Sequence, residues 1–198
     1  MKLVFASNNA HKLDEVRAMM PAGIEVLSLH EIGFEHEIDE TGTTLAENSK
    51  IKAETVAAWL KAHDKWSSVD GVFADDTGLE IDALGGQPGV YSARWAGSAA
   101  SNRAKALREL AGKENRNCHF KTVITLITSD KTVQVEGIVR GRIATEEHGE
   151  GGFGYDPVFI PEGYDKTFGE LPAEVKNSIS HRARAMANLV KLLKMYDY

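Results

Sequence analysis

Cysteine is almost missing from this chain: Cys118 is the only one in 198 residues. A single thiol excludes an intramolecular disulfide framework and a cysteine-based zinc site, and its expected place is inside a strand as a small buried hydrophobe. No apolar run approaches the roughly 20 residues that a membrane helix needs, so no membrane partner is expected. The opening Met1-Lys2-Leu3-Val4-Phe5-Ala6 reaches Ser7-Asn8-Asn9 after too few apolar residues for a secretory core, which makes a cytoplasmic location the expectation. Basic runs are also lacking, and a formal net charge of −6 disfavours nucleic acid as a partner. Small anions remain open, because a few lysines and a metal in one cleft bind triphosphate whatever the net charge. No GxxxxGK[ST] loop and no GxSxG elbow occurs, and His11, His119 and His148 lack the HExxH spacing. The chain shows neither an internal repeat nor a low-complexity linker.

What is present is an ordinary globular composition, 42% hydrophobic and 26% charged, in a chain long enough for one substantial core or for two lobes around a cleft. Residues 2–6 read as a buried strand and Ser7–Ala10 as a loop. A helix is expected over His11–Met20, with Leu13, Val16 and Met20 inward. A second helix is predicted from Thr43 to about Lys61, opened by a Thr44-x-x-Glu47 capping box and packed through Ala53, Val56, Ala57 and Leu60. The stretch 63–71 reads as a loop, and a helix is expected over about Ser101–Ala111. Cys118–Thr128 and Thr132–Ile143 read as two strands joined at Ser129-Asp130-Lys131. The last helix should start near Ser180, with Ala183, Met186, Ala187, Val190 and Leu193 on its inner face. Crossover helices together with a long hairpin imply an α/β protein with a mixed sheet.

Chemistry concentrates in five places. In Phe73-Ala74-Asp75-Asp76-Thr77-Gly78-Leu79, two adjacent carboxylates follow an apolar stretch and precede a Gly-containing turn, where a strand is expected to end. Strand alternation sends Asp75 and Asp76 to opposite faces, so a magnesium site there needs further ligands, with Glu40, Glu47 and Asp82 as candidates. Ser7-Asn8-Asn9-Ala10-His11-Lys12 lies between strand and helix, where free N–H groups and the helix dipole favour a phosphate, and Asn8 or Asn9 suits a left-handed turn. Asn48 and Lys52 lie four apart on one face of the second helix, close behind Asp39-Glu40, and are candidates to reach the same cleft and bind substrate, whereas Lys50 and Glu54 look like a surface pair. Gly149–Pro157 places four glycines around Phe153 and Tyr155, a loop suited to approach and stack on a flat base. Lys176-Asn177-Ser178-Ile179-Ser180-His181-Arg182 gathers cations near a predicted helix start, with donors suited to carbonyl oxygens on a base.

Taken in order, Ser7-Asn8-Asn9-x-x-Lys12-x-x-Glu15, Glu40-Thr41-Gly42, Glu47-Asn48, Ala74-Asp75-Asp76-Thr77-Gly78-Leu79, Gly85-Gly86-x-Pro88-Gly89-x-Tyr91-Ser92-Ala93-Arg94, Gly151–Pro157 and Ser180-His181-Arg182 resemble the Ham1/RdgB inosine triphosphate pyrophosphatase family. The match runs almost the full length. One departure is Asn8, where the family usually has Gly; Asn, which tolerates the left-handed conformation, is expected to preserve the loop. The resemblance implies an ITPase-like α/β fold over residues 1–198: an elongated mixed central sheet flanked by helices, with two lobes around a cleft, in a homodimer. It implies magnesium-dependent hydrolysis of ITP, dITP or XTP to the monophosphate and pyrophosphate, with manganese as a possible substitute metal. Carried over by position, Ser7, Asn8, Asn9, Ala10, His11 and Lys12 would bind phosphate. Asp76 would hold the metal and accept a proton, with Glu40 as a second acidic group and Thr77 on the substrate. Phe153, Gly154, Tyr155, Asp156, Lys176, His181 and Arg182 would form the nucleoside pocket. The Maf-like pyrophosphatases, with related chemistry on other bases, and a nucleotide sensor that does not cleave are the competing readings.

Overall fold

A computed structural model describes residues 1–196. Its sheet has the strand order β2-β1-β3-β5-β6-β7, with β4 pairing β3. Strand β1 (Lys2–Phe5) is parallel to both β2 (Glu25–Leu27) and β3 (Gly71–Ile81), whereas β4 (Pro88–Gly89) on β3 and β7 (Phe159–Pro161) on β6 (Thr132–Ile143) are antiparallel. The sheet is therefore mixed, as expected. Strand β5 (Asn117–Ile127) meets β6 through a tight turn closed by Thr128 N–H donating to the Lys131 carbonyl, and Cys118 is buried in β5.

The chain forms two compact units. The first comprises residues 1–76, 123–136 and 185–196; the second comprises 77–122 and 137–184.

In the first unit, alternation along the strands sorts the core into two clusters. Val4, Val72 and Ala74 pack with Val56, Ala57 and Leu60 of α3 (Leu45–Ala62). Leu3, Phe5 and Phe73 pack with Val16 of α1 (Ala10–Met19) and with Met186, Leu189 and Leu193 of α6 (His181–Met195). Helix α1 starts where the Asn9 side chain accepts from Lys12 N–H. Helix α2 (Leu29–Ile32) carries the full Ser28/Glu31 capping box and stops at Gly33, whose φ of 82° closes the C-terminus. Helix α3 opens as the expected box suggests, with Thr44 accepting from Glu47 N–H, while the Glu47 carboxylate reaches back chiefly to Thr43 and less to Thr44. The surface pair is present, with Lys50 Nζ 3.6 Å from Glu54.

The second unit packs Leu79, Ile81, Phe120, Val139, Phe159 and Phe168 around Ala106 of α4 (Ala99–Glu109).

Three expectations need correction. Strand β3 does not end at the acidic pair but continues for five more residues, because Leu79 and Ile81 extend the buried alternation past Gly78. The stretch 63–71 contains a short 3-10 turn at Trp66–Ser68. On α6 the buried positions include Ala185 and Leu189, while Ala187 is exposed and Val190 half-buried, a stripe shifted by about one residue from the expected one.

Candidate active site

The sorting of strand faces carries straight into the site residues of the first unit. Asp76 continues the face of Val72 and Ala74, which α3 covers, and Asp75 continues the face of Phe73, which α1 covers. Each carboxylate meets an ammonium on its own side. Lys12 Nζ lies 3.2 Å from Asp75 Oδ1, and Lys52 Nζ lies 3.4 Å from Asp76 Oδ1 and 2.7 Å from Glu40 Oε1. The opposed faces expected from alternation are real, and both are used.

Asp76 is 8% exposed, and its Oδ2 has no hydrogen-bond partner among the described residues. Burial raises its carboxyl above the ordinary value of 3.8, against the opposing pull of Lys52 and Lys12. For Lys52, burial alone would favour the neutral amine, but Asp76, Asp75 and Glu40 outweigh it and hold the group above its usual range. Lys52 therefore stays a cation although it too is only 8% exposed.

Of the three carboxylates proposed to assist, only Glu40 joins this cluster. Glu47 is engaged at the start of α3, where the Thr43 N–H lowers its carboxyl, and Asp82, itself exposed, opens a 3-10 turn. Asn48, buried, accepts from Gly42 N–H at 2.7 Å, so it ties the segment after Glu40 down onto α3. A Cβ on Gly42 would come within 2.6 Å of that same oxygen, which explains glycine there.

The Ser7–Lys12 segment is a helix entry rather than a left-handed turn. Asn9 has φ −83° and caps α1, its N–H donates to Ser7 Oγ, and Asp64 is the only non-glycine with positive φ among the described residues. Asn8 in place of glycine thus imposes no strained conformation. Asn8, Asn9, Ala10 and His11 are exposed at the start of the helix.

The second unit holds the aromatic and cationic group. Lys176 Nζ sits 4.4 Å from the Phe153 ring centre and 2.6 Å from Asp156 Oδ2, and Arg182 Cζ lies 5.8 Å from the same ring. Arg182 is 2% exposed; its Nη2 lies 3.4 Å from Thr77 Oγ1, which in turn bonds Thr122 at 2.9 Å. His181 stacks on Phe120 at 4.7 Å between ring centres. Lys176 belongs to a helix that was not expected, α5 (Ala173–Ile179), and sits in its last turn, where a cation suits the dipole. Ser180 then breaks the chain and caps α6, accepting from Ala183 N–H. Tyr155 is a core residue: its hydroxyl donates to the Ser92 carbonyl at 2.7 Å, and burial pushes its phenol well up. Phe153 is only partly buried, which makes it the less enclosed of the two rings of this loop.

Asp156 organises the loop by accepting from both Lys176 and Phe153 N–H. Gly152 makes this possible, because its φ is +69° and a Cβ would overlap the Asp156 carboxylate. Gly152→Ala is expected to destabilise the protein by roughly 1–3 kcal/mol; chemical denaturation checks this, and an unchanged midpoint would show that the loop adapts freely.

Gly154 is fixed from outside the motif: its carbonyl accepts from Arg103 Nη1, and Arg103 also bonds Glu147. Neither Arg103 nor Phe120 stood out in the sequence, since a basic residue on a helix and an aromatic residue in a strand carry no local signature.

This fold and this set of residues define a family. The Ham1 family profile matches residues 3–192, and the chain belongs to that family. Among its relatives are dITP/XTP pyrophosphatases of Flavobacterium johnsoniae, 47% identical over 98% of both chains, and of Bacillus subtilis, 48% identical over 96% of both. Among solved structures, the Ham1 protein of Staphylococcus aureus superposes with a TM-score of 0.87 at 38% identity, covering 99% of this chain and 100% of its own.

Proposed function

We propose that this protein hydrolyses ITP, dITP and XTP to the nucleoside monophosphate and pyrophosphate, removing non-canonical purines from the nucleotide pool. The observation that carries the proposal is Asp76 in a chain of this family: a buried carboxylate with one oxygen near Lys52 and the other without a hydrogen-bond partner among the described residues.

The residues fit a magnesium ion, with manganese as the substitute. Asp76 Oδ2 is an open hard-oxygen acceptor and Glu40 a second carboxylate nearby in the cluster, while no three His, Cys, Asp or Glu side chains form a ready-made cage among the described residues. Such a sparse set suits an ion that keeps waters and takes phosphate oxygens as its remaining ligands. When bound, the ion supplies charge neutralisation on the phosphates.

The chain's own groups do the rest. The start of α1 and the Lys12 ammonium attract the phosphate chain, and Lys52 holds Asp76 in place. Asp76 orients a water and takes its proton as the water oxygen bonds to the α-phosphorus; the bond from that phosphorus to the bridging oxygen breaks, and pyrophosphate leaves. In the second unit, Phe153 stacks on the base, and donors from Lys176, His181 and Arg182 meet the 6-keto oxygen of hypoxanthine or xanthine. The 6-amino group of adenine would face donors and stay unpaired, a difference of about 1–3 kcal/mol, or roughly 5- to 150-fold. The proposal includes a homodimeric, cytoplasmic enzyme; among the described residues no helix is long and apolar enough to cross a membrane.

The test is pyrophosphate release from ITP, XTP, dITP, GTP, ATP and a modified pyrimidine triphosphate, with magnesium and with excess chelator. Release chiefly from ITP, dITP and XTP, abolished by chelator, is expected. Preference for the pyrimidine would overturn the substrate class, and thermal stabilisation by ITP without release would overturn hydrolysis.

A further inference from the structure

One buried polar chain in the first unit lies behind the carboxylate cluster rather than in it. Ser49 is fully buried on α3, one turn before Lys52, and its Oγ lies 3.0 Å from the Ala74 carbonyl and 2.8 Å from Thr125 Oγ1. Thr125 is also fully buried, and it accepts from Gln134 Nε2 at 2.9 Å. The same Gln134 nitrogen donates to the Ala46 carbonyl at 2.9 Å, back on α3.

Donor counting gives this chain a direction. A serine hydroxyl has one proton, and the Ala74 carbonyl can only accept, so Ser49 donates there. The proton between Ser49 and Thr125 must then come from Thr125, whose oxygen is left to accept from Gln134. The order is Gln134 to Thr125 to Ser49 to Ala74, with the second Gln134 N–H on Ala46. Every link has one donor and one acceptor, as a buried network requires if it is to rigidify rather than destabilise.

The network ties α3, through Ala46 and Ser49, to β3 at Ala74, immediately before Asp75 and two residues before Asp76. Lys52 is one turn further along the same helix. We infer that Ser49, Thr125 and Gln134 are positioning residues for the hydrolytic site: they set the axial register of α3 against β3, and so the placement of Lys52 against Asp76. This rests on the pyrophosphatase reading above. Apolar burial holds α3 on the sheet but is itself non-directional, so directional hydrogen bonds sharpen the register that packing allows. The hydroxyl chain fixes one register. A shift of about 1 Å in a reacting group costs up to ~100-fold in rate.

The experiment compares kcat and KM for ITP, with magnesium, in Ser49→Ala, Thr125→Val and Thr125→Ser, and in Ser49→Ala combined with Lys52→Met. The near-isosteric Thr125→Val keeps the packing and removes the hydroxyl, whereas Thr125→Ser keeps the hydroxyl. Expected are kcat reductions of about 10- to 100-fold in Ser49→Ala and Thr125→Val with KM changed less than about twofold, near-parental kcat in Thr125→Ser, and little further loss from Ser49→Ala once Lys52 is Met. Unchanged kcat in both hydroxyl-deleting variants of an active parent overturns the inference alone. Equal losses in Thr125→Ser and Thr125→Val, or a full additional loss in the Lys52→Met background, also overturn it. A parent that releases no pyrophosphate from ITP overturns the functional reading and this inference together.

Discussion

Asp76→Asn is expected to lower pyrophosphate release from ITP by about 1000-fold or more, the scale of losing a positioned general base and an anionic ligand together. In chelator it should leave the fold as stable as the parent at neutral pH, or more stable. Asparagine matches the protonated carboxyl in shape and is never ionised. In the folded protein, burial raises the Asp76 carboxyl above its ordinary value of 3.8, even with Lys52 and Lys12 pulling the other way. An acid with a raised folded pKa binds its proton more tightly in the native state, so the cost of ionising it is absent below the unfolded pKa. That cost grows as pH rises through the interval between the two values and is complete above the folded one. The stability difference between Asp76→Asn and the parent should therefore widen with pH across that interval and then level. Thermal melts in chelator from strongly acidic to neutral pH, paired with turnover measurements, check both halves. Parental turnover would remove Asp76 from the mechanism, and a difference that narrows with rising pH would refute the buried, penalised carboxylate.

The second large effect is on stability. Lys176→Met is expected to cost about 3–5 kcal/mol, because it leaves the Asp156 carboxylate buried with only the Phe153 N–H as its partner of the two that converge on Oδ2. For a chain of this size that corresponds to a fall of roughly 10 °C in Tm. Adding Asp156→Asn should restore much of it by removing the negative charge that Lys176 balanced, which a double-mutant cycle in urea measures directly. Additive losses in the double variant would show that the two side chains do not act as a pair.

The elements with strong local patterns are legible in the sequence alone. Strand β1, helix α3 with its inner face of Ala53, Val56, Ala57 and Leu60, and the β5–β6 pair are all where periodicity places them. Helix α3 was more informative than its apolar half suggested. Its buried stripe continues through Asn48, Ser49 and Lys52, and polar residues on an inward face mark a site or a brace. Errors arose where a local signal competed with tertiary context. Gly78 looked like a turn residue, yet β3 runs through it because neighbouring strands and the buried Leu79 and Ile81 supply more than glycine loses. Helix α5 is short and ends against Ser180, so its residues read as the approach to α6. Tyr155 looked like a stacking ring, but its hydroxyl found the Ser92 carbonyl, 63 residues away in sequence, and the ring went into the core.

Composition and ordered motifs determined the α/β class, the absence of disulfide chemistry and the family, and alternation alone placed Asp75 and Asp76 on opposite faces of one strand. Only tertiary structure decided which ammonium each meets, that Glu40 rather than Glu47 or Asp82 joins Asp76, and that Asn9 caps a helix instead of making a left-handed turn. Backbone periodicity and capping act within a few residues and are written in the local sequence. Charge pairing and desolvation depend on which groups share a buried volume, and here the paired groups lie from 12 residues apart (Glu40 and Lys52) to 63 apart (Lys12 and Asp75) along the chain.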